Sequence, residues 1–194
     1  MNKIAIIDID GVLSDYPNNV FFKFIKDKKN HIFRNKEEIV NKYGRFEYDR
    51  LKNEFRRSGL KLKYKVKENS KESIDLLRAK GYFISIITSR PLLIENIYTT
   101  RTWLNENKIN YDQLFFVRDK ASAFLETSNY DQVIIIDDEY KGLIDYLGFE
   151  NIQLYKFGFG NEFYSNIKVV KNWLEIMKDV IKEKIDVISD KSTN

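Results

Sequence analysis

Five short runs rich in β-branched and aromatic residues punctuate this chain: Lys3–Ile9, Tyr82–Thr88, Leu114–Val117, Val133–Asp137 and Ile152–Tyr155. They are apolar nearly throughout rather than alternating, the pattern of strands covered on both faces. Helical patterns lie between them. Ser70–Lys80 carries Ile74 and Leu77 and stops at Gly81, Ile97–Asn107 carries Trp103 and Leu104, and Tyr140–Leu147 ends at Gly148. Strands that alternate with helices predict a parallel sheet, so the fold class is α/β, open and doubly wound in the Rossmann manner. Lys168–Ile188 places Val170, Trp173, Leu174, Met177, Val180 and Ile181 on one stripe and is expected to close the fold as a helix on the sheet.

Residues 16–69 break the alternation. They predict helices at Asn19–Asp27, at Lys36–Tyr43 behind an Asn35…Glu38 capping box, and at Phe46–Arg57 ahead of Ser58-Gly59. The expected organisation is a core built from residues 1–15 and 70–194, with residues 16–69 inserted as a helical cap at the carboxyl end of the first strand. Ligands of open α/β sheets bind at that edge.

Charge is divided unevenly between these parts. The chain of 194 residues has a formal net charge of +4, yet residues 16–69 alone hold sixteen Lys/Arg against seven Asp/Glu. The insertion therefore carries +9 and the rest −5, which suggests an anionic partner for the insertion. With no cysteine and one histidine, His31, thiolate metal sites, histidine-rich metal sites and a serine–histidine triad are disfavoured. Any metal must be a hard cation held by carboxylates. Lys3 leads directly into a strand pattern and no apolar run is long enough for a bilayer, so a cytoplasmic protein is expected.

Four strand ends carry chemistry. IAIIDIDG places Asp8 and Asp10 after the first, ISIITSRP places Thr88 and Ser89 after another, FFVRDKA places Lys120 just after a third, and VIIIDDE places Asp137 and Asp138 at a fourth. All strands of a parallel sheet end on one edge, so these groups are expected to converge there. Four carboxylates, a hydroxyl and an ammonium at one edge point to a reacting centre.

DIDGV, Thr88, Lys120 and Asp137-Asp138 resemble, in order, the four motifs of the haloacid dehalogenase-like (HAD) phosphohydrolases. Within that group, DIDGVLSDY, ITS, an aromatic-bearing helix, VRDKA and IIDD resemble the 5′(3′)-deoxyribonucleotidases, with Val12 agreeing with that branch. Thr88-Ser89-Arg90 also resembles the phosphatase domain of phage-type polynucleotide kinases.

The resemblance implies a Mg²⁺-dependent phosphatase of nucleotide monoesters. Asp8 would be the nucleophile and Asp10 the proton carrier, with Mg²⁺ held by Asp8, the Asp10 backbone carbonyl and Asp137, and supported by Asp138. Thr88 and nearby backbone N–H groups, Gly11 among the candidates, would hold phosphate oxygens, and Lys120 would balance Asp8. Ser89, Arg90, Arg56 and Arg57 are expected to bind substrate. A polynucleotide-end phosphatase, or a nucleic-acid-binding module on an inactive phosphatase scaffold, is the alternative that the basic insertion supports. Phe21, Phe22, Phe24, Phe33, Phe46, Tyr48 and Phe55 are expected mostly to build the insertion's own core. Arg45, Arg50 and the Lys61–Lys67 run are further electrostatic candidates, while His31, Arg118 and Asp119 are expected to be structural.

Overall fold

A computed structural model describes residues 2–16, 19–117, 120, 130–160 and 164–181. Six strands form one sheet: β1 (Lys3–Ile7), β2 (Tyr82–Thr88), β3 (Gln113–Phe116), β4 (Gln132–Asp137), β5 (Ile152–Phe157) and β6 (Ile167–Val170), in the order β3-β2-β1-β4-β5-β6. Every pairing is parallel. The chain's direction of travel across the sheet reverses between β1 and β4, so their carboxyl ends open a crevice of the kind where such folds bind ligands.

Alternate residues of the central strands serve two separate cores. Ala5, Ile7, Ile84, Ile86, Ile134 and Ile136 join one apolar cluster, with Trp103, Leu104 and Trp173. Ile4, Ile6, Val133 and Ile135 join the other, with Leu143 and Tyr146. The continuous apolar runs in the sequence are the consequence of this two-sided burial.

Between β1 and β2 lie α1 (Asn19–Lys29), α2 (Lys36–Tyr43), α3 (Arg45–Arg57), a 3₁₀ turn (Leu60–Lys63) and α4 (Ser70–Ala79). The expected cap at α2 is present: the Glu38 N–H donates to Asn35 Oδ1 at 2.9 Å, and the Glu38 carboxylate takes the Arg34 N–H. The chain enters and leaves this helical stretch through adjacent segments. The Asp15 N–H donates to the Lys65 carbonyl, the Lys67 N–H to the Leu13 carbonyl, and the Lys65 N–H to Asp15 Oδ1. The Trp103 indole of α5 (Ile94–Glu106) donates to the Tyr64 carbonyl at 2.8 Å, tying the exit segment to the core. Most of the aromatic residues of the insertion are buried as expected, including Phe21, Phe24, Phe33, Tyr48 and Phe55, but Phe46 is exposed.

Three expectations need correction. The segment from Lys168 is not helical at its start, because Ile167–Val170 form β6, a four-residue edge strand too short to show its own period. The helix, α6, begins at residue 173 and is described to residue 181. It buries Trp173, Ile176 and Val180, whereas Leu174 and Ile181 are exposed. Residues 140–147 form two 3₁₀ turns, Tyr140–Gly142 and Ile144–Tyr146, rather than one helix. The first of these turns packs Gly142 against the Asp137 carboxylate, and Leu143 at φ −118 breaks the helical path while burying its side chain. Strand β1 ends at Ile7 rather than running to Ile9, so Asp8 and Asp10 lie beyond it. After Asp8 the chain turns, with the Leu13 and Ser14 N–H groups both donating to the Ile9 carbonyl.

Candidate active site

The carboxyl ends of β1, β2 and β4 bring together the residues that the sequence singles out. Asp8 follows β1, Thr88 closes β2 and Asp137 closes β4. Asp8 is 7% exposed and Asp137 2%. Lys120 reaches between them, its Nζ 2.5 Å from Asp137 Oδ2 and 3.1 Å from Asp8 Oδ1. Its backbone carbonyl is fixed by the Tyr146 hydroxyl at 2.8 Å. Asp137 Oδ1 accepts the Glu139 N–H at 2.9 Å, so both of its oxygens are oriented. Arg118 and Asp119 lie outside the described residues.

Carboxylate oxygens of Asp8, Asp137 and Asp138 lie within 4.8 Å of one another. Two glycines make room for this cluster. A Cβ on Gly11, which sits at φ +90, would lie 2.1 Å from Asp138 Oδ2, and one on Gly142 would lie 2.1 Å from Asp137 Oδ2. Burial pushes the Asp8 carboxyl well above its ordinary range, and Asp137, Asp10 and Asp138 add to the shift while Lys120 opposes it. Burial likewise pushes Asp138 up to about 7, with Asp137 and Glu139 reinforcing it. For Lys120, burial disfavours the charge, but Asp8 and Asp137 outweigh it and hold the ammonium charged.

The cluster fits a hard divalent cation. Three clustered carboxylates face one ammonium, and their burial and mutual repulsion disfavour the charge on Asp8 and Asp138, a cost that a divalent cation would remove. Asp8 Oδ1 is buried and lies outside hydrogen-bond geometry even with Lys120 nearby, so it keeps an unused acceptor. An all-oxygen donor set of this kind suits Mg²⁺.

Asp10 is not part of that cluster. Arg90 donates to both of its oxygens, Nε to Oδ2 at 3.1 Å and Nη2 to Oδ1, and Lys61 Nζ lies 3.4 Å from Oδ2. Burial works against the Asp10 charge, yet Arg90 and Lys61 outweigh it and hold the carboxyl far below its usual range. The expectation of Asp10 as a metal ligand is thereby confined to its backbone carbonyl, because its carboxylate is taken by cations. Arg90 is 4% exposed, and its third contact is Nη1 donating to Thr100 Oγ1 at 3.0 Å. Its backbone N–H reaches Thr88 Oγ1 at 3.3 Å.

A cavity of about 120 Å³ opens over this edge. Asp8, Asp10, Ser89, Arg90, Lys120, Asp138 and Glu139 line its floor, and Tyr16, Lys52, Phe55, Arg56 and Lys61 line it from the insertion. Arg56 is thus at the site as expected. Arg57 is exposed and does not line the cavity, because it sits one residue further round α3. Lys52 and Lys61 are the contributions that sequence reasoning left unresolved. Lys61 lies in the run LKLKYKVK, where nothing marks the one lysine that is buried, whereas Lys52 stands four residues before Arg56, a spacing that puts both on one helix face.

No family model matches the sequence, and no curated protein matches it. Solved structures do. The chain resembles a predicted phosphatase from Clostridium acetobutylicum, with a TM-score of 0.68 at 16% identity over 94% of this chain and 99% of the other. It also resembles a HAD-superfamily hydrolase from Ehrlichia chaffeensis, with a TM-score of 0.60 at 15% identity, covering 94% and 98%. The fold is that of the HAD hydrolases. A HAD family hydrolase from Deinococcus radiodurans with bound phosphate and sodium shares it at 11% identity, with a TM-score of 0.62 over 93% and 96% of the two chains. Among the described residues, no helix is long and apolar enough to cross a membrane.

Proposed function

We propose that this protein is a Mg²⁺-dependent phosphatase that hydrolyses phosphate monoesters of nucleotides through an aspartyl-phosphate on Asp8. The observation that carries the reading is the meeting of Asp8, Lys120, Asp137 and Asp138 at the carboxyl edge of β1 and β4, with Thr88 closing the neighbouring β2. The hydrolase and phosphatase neighbours, one of them holding phosphate, support it through the shared fold.

In this reading an Asp8 carboxylate oxygen attacks phosphorus, the ester P–O bond breaks, and the leaving oxygen takes its proton from solvent water, because Asp10, expected as the donor, is held as an anion. Water then attacks phosphorus and returns Asp8 as a carboxylate with free phosphate. Lys120 opposes, without overcoming, the burial that favours the neutral form of Asp8, and it offsets charge gathered on the phosphoryl group. The Thr88 hydroxyl holds a phosphoryl oxygen, with the backbone N–H groups after Asp8 that are not bonded within the turn; the Gly11 N–H, expected among them, donates to the Ser14 carbonyl. Asp8, the Asp10 carbonyl and Asp137 would hold Mg²⁺, supported by Asp138, and the ion would draw the substrate dianion into an otherwise acidic site. Asp10, held as an anion by Arg90, is in the form that accepts a proton from the attacking water. Tyr16 supplies aromatic surface on the cavity wall where a base or sugar would lie, with the buried Phe55 behind it.

A small substrate is taken over a polynucleotide, because part of the insertion's basic surface is internally paired. Arg45 pairs with Asp49, Arg50 with Glu47 and Glu54, Lys28 with Glu54 and Lys29 with Glu47. The test is phosphate release from a panel of mononucleotides, sugar phosphates and end-phosphorylated oligonucleotides, with Mg²⁺ and with excess chelator. Metal-dependent release that is fastest from mononucleotides supports the reading. Release undiminished by chelator, or none from any monoester, contradicts it.

A further inference from the structure

On α3 the basic residues fall into two groups. Arg45 and Arg50, on the outside, each have carboxylate partners within ion-pair distance. Lys52 and Arg56, which line the cavity, have none among the described residues; Arg56 reaches only the neutral Asn53 Oδ1, at 3.0 Å. Spaced four apart, they are neighbours on one helix face, and like charges so placed repel. Each lowers the other's comfort further because Lys52 is half-buried, and burial followed by Arg56 and Lys36 depresses its ammonium pKa. Lys61, on the next turn of chain, adds a third cation that is 5% exposed and whose ammonium has one long contact, to Asp10. The helix surface elsewhere shows that acidic partners are readily supplied, so their absence here leaves positive charge on the insertion's wall of the cavity, opposite the acids Asp8, Asp10, Asp138 and Glu139 of its floor.

Resting on the phosphatase reading, we propose that Lys52, Arg56 and Lys61 form a second anion subsite, and that the substrate is a small phosphomonoester carrying a second phosphate group. The first phosphate is placed at Asp8, where Lys120 and the carboxylate cluster act on it. The second lies against α3, where it satisfies the unpaired donors and removes their mutual repulsion. Arg56 supplies a planar fork suited to two phosphate oxygens, and Lys52 a point charge beside it. The same chemistry is offered by a nucleoside 3′,5′-bisphosphate and by a hexose bisphosphate; Tyr16 on the cavity wall favours the former.

The experiment pairs binding with turnover. Calorimetry on the full-length Asp8→Asn protein with Mg²⁺, which reports affinity without hydrolysis, compares adenosine 3′,5′-bisphosphate with adenosine 3′- and 5′-monophosphates, and fructose 1,6-bisphosphate with fructose 6-phosphate. The subsite requires a bisphosphate to bind roughly tenfold or more tightly than its monophosphate, the factor that about 1.4 kcal/mol supplies. Arg56→Ala and Lys52→Gln should each shrink that ratio severalfold, while Arg56→Lys restores part of it. The wild-type kcat/KM values for the same compounds should follow the same ratio. Equal affinity for mono- and bisphosphates, or a ratio unmoved by both substitutions, overturns the subsite even if the enzyme hydrolyses monoesters. A bisphosphate preference in binding without any hydrolysis would retain the subsite and remove the phosphatase reading instead.

Discussion

Arg90 grips Asp10 through both carboxylate oxygens, and does so from a position eighty residues away in sequence, directly after the strand that ends in Thr88. Arg90 is buried and Asp10 half-buried at the cavity floor, and the Arg90 guanidinium is anchored from behind by Thr100. The pair locks the turn after β1 onto the end of β2, so the residue that handles protons and the residue that handles phosphate share one support. Removing one partner of a buried pair leaves the other uncompensated, a loss of about 3 kcal/mol. Arg90→Met should therefore lower the unfolding free energy by that order in a urea titration at pH 7. Arg90→Lys should recover only part of it, because a lysine cannot reach both oxygens. A variant of wild-type stability would show that the pair is not structural.

Lys61 predicts the opposite sign. Burial lowers its pKa to about 8, against partial compensation by Asp10, so keeping it charged costs the folded state. The unfolded chain, with an ordinary value of 10.5, binds more protons than the native one between these limits. The penalty is thus fully present below about pH 8 and fades as pH rises toward 10.5. It corresponds to about 3 kcal/mol. Lys61→Met should raise the melting temperature at pH 7, and its advantage should shrink by pH 10. The same variant should lose activity, a trade of stability for function. A destabilised variant at pH 7 would count against the assigned cost.

Gly142 and Gly11 bound the carboxylate cluster, and each offers a graded test of it. Gly142→Ala introduces a methyl 2.1 Å from Asp137 Oδ2 at a position that needs no positive φ, so the backbone tolerates it while the carboxylate must move. Its Mg²⁺ requirement should shift upward by roughly tenfold or more, the usual scale for displacing a ligand's support. Gly11→Ala adds backbone strain at φ +90 to the same collision and should be worse on both stability and metal response. Unchanged Mg²⁺ titrations for both variants would place the cation elsewhere.

The framework of the fold was legible in the sequence for a physical reason. Strands buried on both faces must be apolar throughout, and Ile4–Ile7, Ile84–Ile87 and Val133–Ile136 advertise themselves by that requirement. Their ends were legible too, because Asp8, Thr88 and Asp137 interrupt apolar runs abruptly. Strand β6 was not, since four residues at a sheet edge carry little period and its Val170 sits three residues before Trp173 in apparent helical phase. Nor was the lock on Asp10. Arg90 was expected at the substrate, but that its guanidinium folds back onto Asp10 depends on the tertiary approach of β2's end to the turn after β1. The split of the insertion's basic residues into paired and unpaired sets was equally hidden, because it depends on which face of α3 each residue occupies.

The internal pairing of Arg45, Arg50, Lys28 and Lys29 leads to a prediction about salt. A protein tracking a single-stranded backbone loses affinity with a slope of about −0.7 per phosphate contacted. With those four of its sixteen bases committed to its own acids, this insertion should give an end-phosphorylated oligonucleotide no larger a salt slope than a mononucleotide bisphosphate. Measuring kcat/KM for both at low and high salt decides it, and a steep slope confined to the oligonucleotide would restore the polynucleotide-end reading.

The central claim is that Asp8 is phosphorylated during turnover. The protein, mixed with Mg²⁺ and its best monoester, is quenched in acid during the steady state and digested, and the peptide containing Asp8 is weighed by mass spectrometry. The account predicts the mass of a phosphoryl group on that peptide at Asp8, together with loss of both the adduct and turnover in Asp8→Asn. A phosphorylated residue elsewhere, or an Asp8→Asn protein that turns over substrate as the wild type does, would contradict it.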